Sequence, residues 1–250
     1  MTLTLNGFAP LRAGMPVTEP ISLSLPSGEL LVLLGRNGSG KTTLLTALSG
    51  GLPYRGEALA DGTPLRSLSP RARARLIAIA PQLPARPHIS VRELLLLGRT
   101  PYLPLSLRPS DADREAIGRA AELTSVTELL DRTLDTLSGG ELARASLGMT
   151  LAQQTPILLL DEITAHLDPA YEAELLRLVR RLASEGAAVL AVLHDLTLAT
   201  RIADRIAVLD GGRLLGPFTP SELIEAGVHE SVFGLRRAVT ETGESFFTAL

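Results

Sequence analysis

A chain of 250 residues with 45% hydrophobic residues is long and apolar enough for one large domain, or for one domain carrying an inserted subdomain. The absence of cysteine excludes disulfides and thiolate metal sites, and a net charge of −3 gives no general attraction to nucleic acid or to an anionic membrane. No apolar run approaches the roughly 18–20 residues that span a bilayer. Met1-Thr2-Leu3-Thr4 offers no charged segment followed by an apolar block, so no signal peptide and a cytosolic location are expected.

In chain order, Leu3–Leu5 and Ile21–Leu25 alternate apolar and polar residues, which predicts an antiparallel layer. Leu30–Leu34 is a continuous apolar run and reads as a buried strand, followed by a glycine-rich loop and a helix over Thr43–Leu48. Arg66, Arg71, Arg73 and Arg75 form a basic cluster without interleaved aromatics, expected to be a solvated face rather than a nucleic-acid platform. Leu76–Ala80 is the next strand. Ser90-Val91-Arg92-Glu93 is a capping box that opens a helix. Pro101, Pro104 and Pro109 mark an irregular loop, Ser110 caps a helix over Asp111–Glu122, and another apolar helix covers Leu142–Ala152. Strands are expected at Ile157–Leu160, Ala188–Leu193 and Arg205–Leu209. A helix opens at Asp168-Pro169, with Asp as cap and Pro at its first position, and ends near Gly186. Asp210-Gly211 before Arg213-Leu214-Leu215 signals a hairpin. The alternation of strands and helices predicts an α/β fold with a mostly parallel sheet, and the stretch without strand signals predicts an inserted helical subdomain.

Lys41 is the sole lysine among 24 lysines and arginines, and it lies in Gly35-Arg36-Asn37-Gly38-Ser39-Gly40-Lys41-Thr42. This matches the Walker A pattern, G-x-x-x-x-G-K-[ST], between a strand and a helix, with Thr43 following. A compact ammonium fits between phosphate groups where a planar guanidinium does not. Loop N–H groups and the helix N-terminus point at phosphate oxygens, and the Thr42 hydroxyl is placed to bind Mg²⁺.

Ile157-Leu158-Leu159-Leu160-Asp161-Glu162 is a buried strand that delivers two carboxylates at its C-terminal end, where ligands bind in open α/β sheets. Asp161 is the expected Mg²⁺ residue. Glu162, one step further, is expected near the γ-phosphate as general base or water-positioner. Leu137-Ser138-Gly139-Gly140-Glu141 opens a second anion-binding helix N-terminus. One nucleotide does not need two such helix ends, so Ser138, Gly139 and Gly140 are expected to serve an ATP held by a second copy of the chain.

With these motifs the sequence resembles the nucleotide-binding subunit of ABC transporters, whose signature motif is LSGGQ. The resemblance covers about residues 1 to 235. It implies a P-loop NTPase core, with residues 1–82 and 153–250 forming the α/β core and 83–152 a helical subdomain that carries the signature, all within one domain over 1–250. It also implies that Gln82 is the Q-loop residue reaching the metal and the attacking water, that His194 is the switch histidine at the γ-phosphate, and that Leu167-Asp168 ends a D-loop at the dimer interface. ATP over GTP, a head-to-tail dimer enclosing two ATP molecules, and a membrane permease as partner follow from the family.

Several residues depart from the family pattern: Glu141 for Gln in the signature, Leu142-Ala143 at often polar positions, Ile163 for proline after the Walker B acid, and Ala165 for serine in the D-loop. The usual adenine-stacking aromatic is not evident. Arg12 stands near that position, and Phe8 is close but out of register. His88 and His229 are expected at the surface, and His166 lies within the D-loop segment.

Val91-Arg92-Glu93-Leu94, Leu97-Gly98-Arg99-Thr100-Pro101-Tyr102 and Leu193-His194-Asp195-Leu196 resemble the corresponding segments of importers for iron–siderophores, haem and cobalamin. The expected role is therefore the ATPase of a ferric-siderophore importer, peripheral on the cytoplasmic membrane face through its permease, with an extracytoplasmic binding protein as indirect partner and no nucleic acid. Cobalamin or haem import, an exporter, and a soluble ABC-type ATPase of DNA or ribosome maintenance are the alternatives. The soluble class usually carries coiled coils, zinc modules or paired units, and none is read in this sequence.

Overall fold

The computed structural model describes residues 1–80, 86–104, 108–164, 167–240 and 245–249. Its centre is a six-stranded sheet, ordered Arg213–Phe218, Arg205–Asp210, Leu30–Gly35, Ala188–Val192, Ile157–Asp161 and Ile77–Ala80. All neighbours are parallel except the first pair, an antiparallel hairpin whose register places Asp210 opposite Arg213. Beside it lies an antiparallel layer built on Leu3–Arg12, which pairs with Ile21–Leu25, Met15–Pro16 and Tyr54–Ala60. The strand Tyr54–Ala60, with two glutamate or arginine positions and a glycine among its residues, carried no sequence signal strong enough to announce it.

Every residue of Leu30–Gly35 is buried. Because side chains alternate across a strand, Leu30, Val32 and Leu34 join one core, with Leu94, Leu95, Leu175 and Leu176 from the helices. Leu31 and Leu33 join the other, with Leu3, Leu5, Phe8 and Leu48. Burial on both faces is why this strand reads as unbroken apolar sequence rather than alternation.

Between residues 86 and 152 the described residues hold helices Val91–Gly98, Asp111–Leu123 and Gly139–Ala152, short 3₁₀ turns, and a single isolated bridge between Ser90 and Thr133. Ser90 and Ser110 both close capping boxes, with Glu93 and Asp113. The helix ahead of Ala152 begins at Gly139 rather than Leu142, so the signature glycines form its first turn. No helix among the described residues is long and apolar enough to cross a membrane.

One expectation is corrected. His229 is buried (5% exposed), its ring edge-on to Phe247 with centroids 5.5 Å apart. It is covered by the C-terminal hairpin Leu235–Val239 and Ser245–Ala249, whose short half-exposed strands gave no sequence signal. The arginine cluster is a solvated face as expected, with Arg66, Arg71 and Arg75 exposed, and its guanidinium groups also bind backbone carbonyls. Arg71 donates to the carbonyls of Pro101 (2.8 Å) and Leu103 (2.6 Å), Arg75 to Pro101 (2.9 Å), Arg73 to Leu65 (2.7 Å) and Arg66 to Gly56. Pro101 and Leu103 lie in a loop, so the guanidinium groups of Arg71 and Arg75 supply donors to carbonyls outside the helices and strands.

Candidate functional site

The sheet order brings the candidate residues together. The strands ending at Gly35, Val192 and Asp161 are consecutive neighbours running in parallel, so the phosphate loop, His194 and the Asp161-Glu162 pair leave one edge of the sheet side by side. Gly35 takes φ 152°, and a Cβ there would lie 2.3 Å from the carbonyl oxygen of Leu209, an approach only glycine permits. Gly40 (φ 107°) caps the helix Lys41–Ser49, turning the chain so that the helix N-terminus faces the loop. The Lys41 ammonium donates to the carbonyls of Gly35 (2.9 Å) and Arg36 (3.1 Å). Burial lowers its pKa from the ordinary lysine range, while Glu162 and Asp161 pull it back up.

Asp161 is 2% exposed. Burial raises its carboxyl pKa, the Thr42 hydroxyl bonds to it and opposes that rise, and the Glu162 charge adds to it. Its Oδ1 is buried without a hydrogen-bond partner among the described atoms, as is Ser39 Oγ. An orphaned carboxylate oxygen beside a threonine hydroxyl suits a hard cation that binds oxygen ligands.

Glu162 adopts φ 51°, a left-handed backbone that costs a non-glycine residue about 1–3 kcal/mol and is concentrated at functional sites. Its Oε1 lies 2.7 Å from Nε2 of His194. Neither the strained backbone nor this pairing was visible in the sequence.

A cleft of about 570 Å³ is lined by Arg12, Val17, Asn37, Gly38, Gly40, Lys41, Thr42, Thr43, Glu162 and His194. That is within the roughly 300–1,000 Å³ of small-molecule sites. Val17 had no sequence signal; it enters because the turn after Arg12 folds the next strand over the loop. Phe8 is fully buried against Tyr54, with ring centroids 4.6 Å apart, and is not available to a ligand. Gln82, Ala165 and His166 lie outside the described residues.

Ser138, Gly139 and Gly140 do not line this cleft. Ser138 caps its helix, accepting from the Glu141 amide (3.2 Å), while its own amide donates to Glu141 Oε2 (2.7 Å). Arg132 pairs with the other Glu141 oxygen at 3.2 Å. Hydrogen bonds from Ser138, first the backbone one, lower the Glu141 pKa. Asp168 caps the following long helix, accepting from the amides of Ala170 (3.1 Å) and Tyr171 (3.2 Å).

Residues 18–165 match the ABC transporter family. The chain belongs to that family. It is 41% identical to the hemin import ATP-binding protein HmuV of Myxococcus xanthus, over 96% of this chain and 93% of the relative. The ferric enterobactin transport ATP-binding protein FepC of Escherichia coli is 39% identical, over 88% of this chain and 82% of the relative. The achromobactin transport ATP-binding protein CbrD of Dickeya dadantii is 37% identical, over 89% and 84%. The fold is similar to that of a nucleotide-free ATP-binding cassette from an ABC transporter, with a TM-score of 0.82 and 21% identity, covering 93% of this chain and 98% of that one. As a member of this family the chain binds ATP and is an ATPase coupled to transport.

Proposed function

We propose that the chain is the ATPase of an importer for iron chelates, with ferric siderophores as cargo. The observation that carries this reading is identity of 37–39% to ATP-binding proteins named for ferric enterobactin and achromobactin transport, over more than four fifths of each chain. Haem is the second reading, favoured by the 41% identity to a hemin import protein.

In this reading the triphosphate lies along the Gly35–Thr43 loop, with Lys41 exchanging its carbonyl partners for phosphate oxygens. Thr42, Asp161 and Gln82 would hold Mg²⁺, which when bound supplies charge neutralisation on the phosphates. Glu162 accepts the proton of the attacking water, and His194 orients the Glu162 carboxylate and contacts the γ-phosphate. The Arg12 guanidinium plane and Val17 receive the adenine, a role supported by their place in the cleft and by the burial of Phe8. The phosphate loop of one copy faces Ser138, Gly139 and Gly140 of a second, head to tail. The absence of those three residues from the chain's own cleft supports this arrangement. Residues 83–152 act as the helical subdomain that passes the motion to a membrane permease, holding the chain peripherally at the cytoplasmic face. An extracytoplasmic binding protein delivers the cargo.

The test is uptake of labelled ferric siderophore, haem and cobalamin by intact cells carrying the wild-type chain or Glu162→Gln. Loss of siderophore uptake alone supports the reading. Loss of haem or cobalamin uptake alone keeps the mechanism and changes the cargo. No loss of any of the three overturns the importer assignment.

A further inference from the structure

The peptide between Leu137 and Ser138 is gripped at both ends. Its carbonyl oxygen accepts a hydrogen bond from Nη1 of Arg86 at 2.8 Å. Its N–H donates to Oε2 of Glu141 at 2.7 Å. A peptide unit is planar, so holding the oxygen and the N–H fixes the orientation of the whole plane. That plane is the entry to the helix whose first residues are Gly139 and Gly140. The aim of the N-terminal amides towards a phosphate depends on it, because hydrogen bonds weaken steeply with misalignment.

Arg86 also belongs to a segment that is laced to the chain just before the signature. Leu134 donates its amide to Ile89 O (2.9 Å), Val91 donates to Arg132 O (3.0 Å) and Arg92 donates to Leu130 O (2.8 Å). Ser90 and Thr133 form an antiparallel bridge between these contacts. Two side-chain pairs reinforce the seam: His88 with Asp135 at 3.3 Å, and Arg92 with Asp131 at 3.0 Å. Residues 86–92 and 130–137 therefore form one bonded strip. A displacement of the first segment, which lies four residues beyond Gln82, is carried to the second. Arg86 is the contact that extends the strip onto the signature turn itself.

We infer that Arg86 is a positioning residue that sets the plane of the Leu137–Ser138 peptide, and so the ability of the signature turn to engage the nucleotide of a second copy. This rests on the head-to-tail reading given above. Arg86 acts through the carbonyl of the Leu137–Ser138 peptide and is not among the residues that line the chain's own cleft. Its side chain is exposed, and its removal leaves the strip's backbone bonds in place.

The experiment uses the full chain in the Glu162→Gln background and measures the ATP concentration needed for half-maximal dimer formation by light scattering. Arg86→Ala is expected to raise that concentration about tenfold, in line with loss of a hydrogen bond from a charged donor. Arg86→Met, which keeps the aliphatic stem but no donor, should behave as Arg86→Ala does. Arg86→Lys, which restores a cationic donor, should recover most of the loss. Nucleotide affinity at protein concentrations too dilute for dimers, and the thermal midpoint, should match the parent in all three variants. Dimer formation by Arg86→Ala and Arg86→Met at the parent ATP concentration overturns the inference. So does an equal loss in the dilute binding assay. If the Glu162→Gln parent itself forms no ATP-dependent dimer, the head-to-tail reading fails, and this inference fails with it.

Discussion

Nε2 of His194 lies 2.7 Å from Oε1 of Glu162, and the two residues follow neighbouring parallel strands whose register sets Asp161 opposite Val192. The sheet itself brings these side chains together, since each stands just past the C-terminal end of its strand. A carboxylate held on an imidazole cannot at the same time be aimed at a water molecule in an arbitrary direction. The pairing fixes where the Glu162 acceptor points.

Glu162→Gln is therefore expected to preserve ATP binding while lowering hydrolysis by about 10²–10⁴-fold, the usual share of a positioned general base. His194→Ala should lower turnover by a smaller factor, because the acid remains and only its orientation is lost. Single-turnover hydrolysis with equilibrium nucleotide binding on the same preparations checks both. A Glu162→Gln rate near wild type would remove Glu162 from its assigned role.

Lys41→Ala should weaken ATP binding, because its ammonium, which bonds Gly35 O and Arg36 O, is a cationic donor in the lining of the cleft. Lys41→Arg should not rescue it. Lys41 is 5% exposed, and a planar fork does not fit the space of a compact ammonium. Titration with a fluorescent ATP analogue reads both variants, and unchanged affinity in Lys41→Ala would count against the loop assignment.

Gly35→Ala should disrupt the loop and lower the thermal midpoint. The new Cβ meets the Leu209 carbonyl at 2.3 Å, and neither backbone can give way without opening the central sheet between Leu30–Gly35 and Arg205–Asp210. A variant with wild-type melting and wild-type nucleotide affinity would contradict this.

Arg12→Ala is expected to weaken ATP binding about tenfold, within the range of stacking on a base. Arg12→Trp should retain affinity. Inorganic tripolyphosphate, which has no base, should bind wild type and Arg12→Ala alike. An equal loss with tripolyphosphate would reassign Arg12 to the phosphates.

The buried pair Arg99–Asp113 (2.9 Å) ties two helices together, with Arg99 also donating to Ala152 O (2.8 Å) and stacking over Tyr102. Arg99→Met leaves Asp113 buried without its cationic partner and should cost about 3 kcal/mol in urea unfolding at neutral pH. The Asp113 pKa is lowered, first by its side-chain bond with Ser110 and then with help from Arg99. The stability it contributes is therefore full above the unfolded aspartate pKa of about 3.9 and is lost as pH falls through the lowered native value. The stability gap between wild type and Asp113→Asn should be wide at pH 7 and should narrow as pH falls from the unfolded value towards the lowered native one. A gap independent of pH would show that the charge on Asp113 is not what stabilises the helices.

Legibility in the sequence followed the physics of each element. Leu30–Leu34, Ile157–Leu160 and Ala188–Leu193 were readable because strands buried on both faces need unbroken apolar sequence. The caps at Ser90, Ser110 and Asp168 were readable because hydroxyls and carboxylates at those spacings satisfy amides locally. Tyr54–Ala60 and the C-terminal hairpin were not, because their strands are only partly buried and composition constrains them weakly. His229 was misplaced for the same reason: what buries it is a hairpin that sequence did not announce.

By itself the sequence determined the order of the motifs and the chemistry they can offer: a lysine where only an ammonium fits, glycines where the backbone must turn, and two acids at the end of an apolar strand. Only the tertiary structure decided which of these meet. It placed His194 on Glu162, put Val17 and Arg12 at the mouth of the phosphate loop, and kept Ser138, Gly139 and Gly140 away from that cleft. The reason is that local spacing fixes what a residue can do within a turn or two. Strand order and register, which depend on contacts between residues far apart in the chain, fix what it does it to.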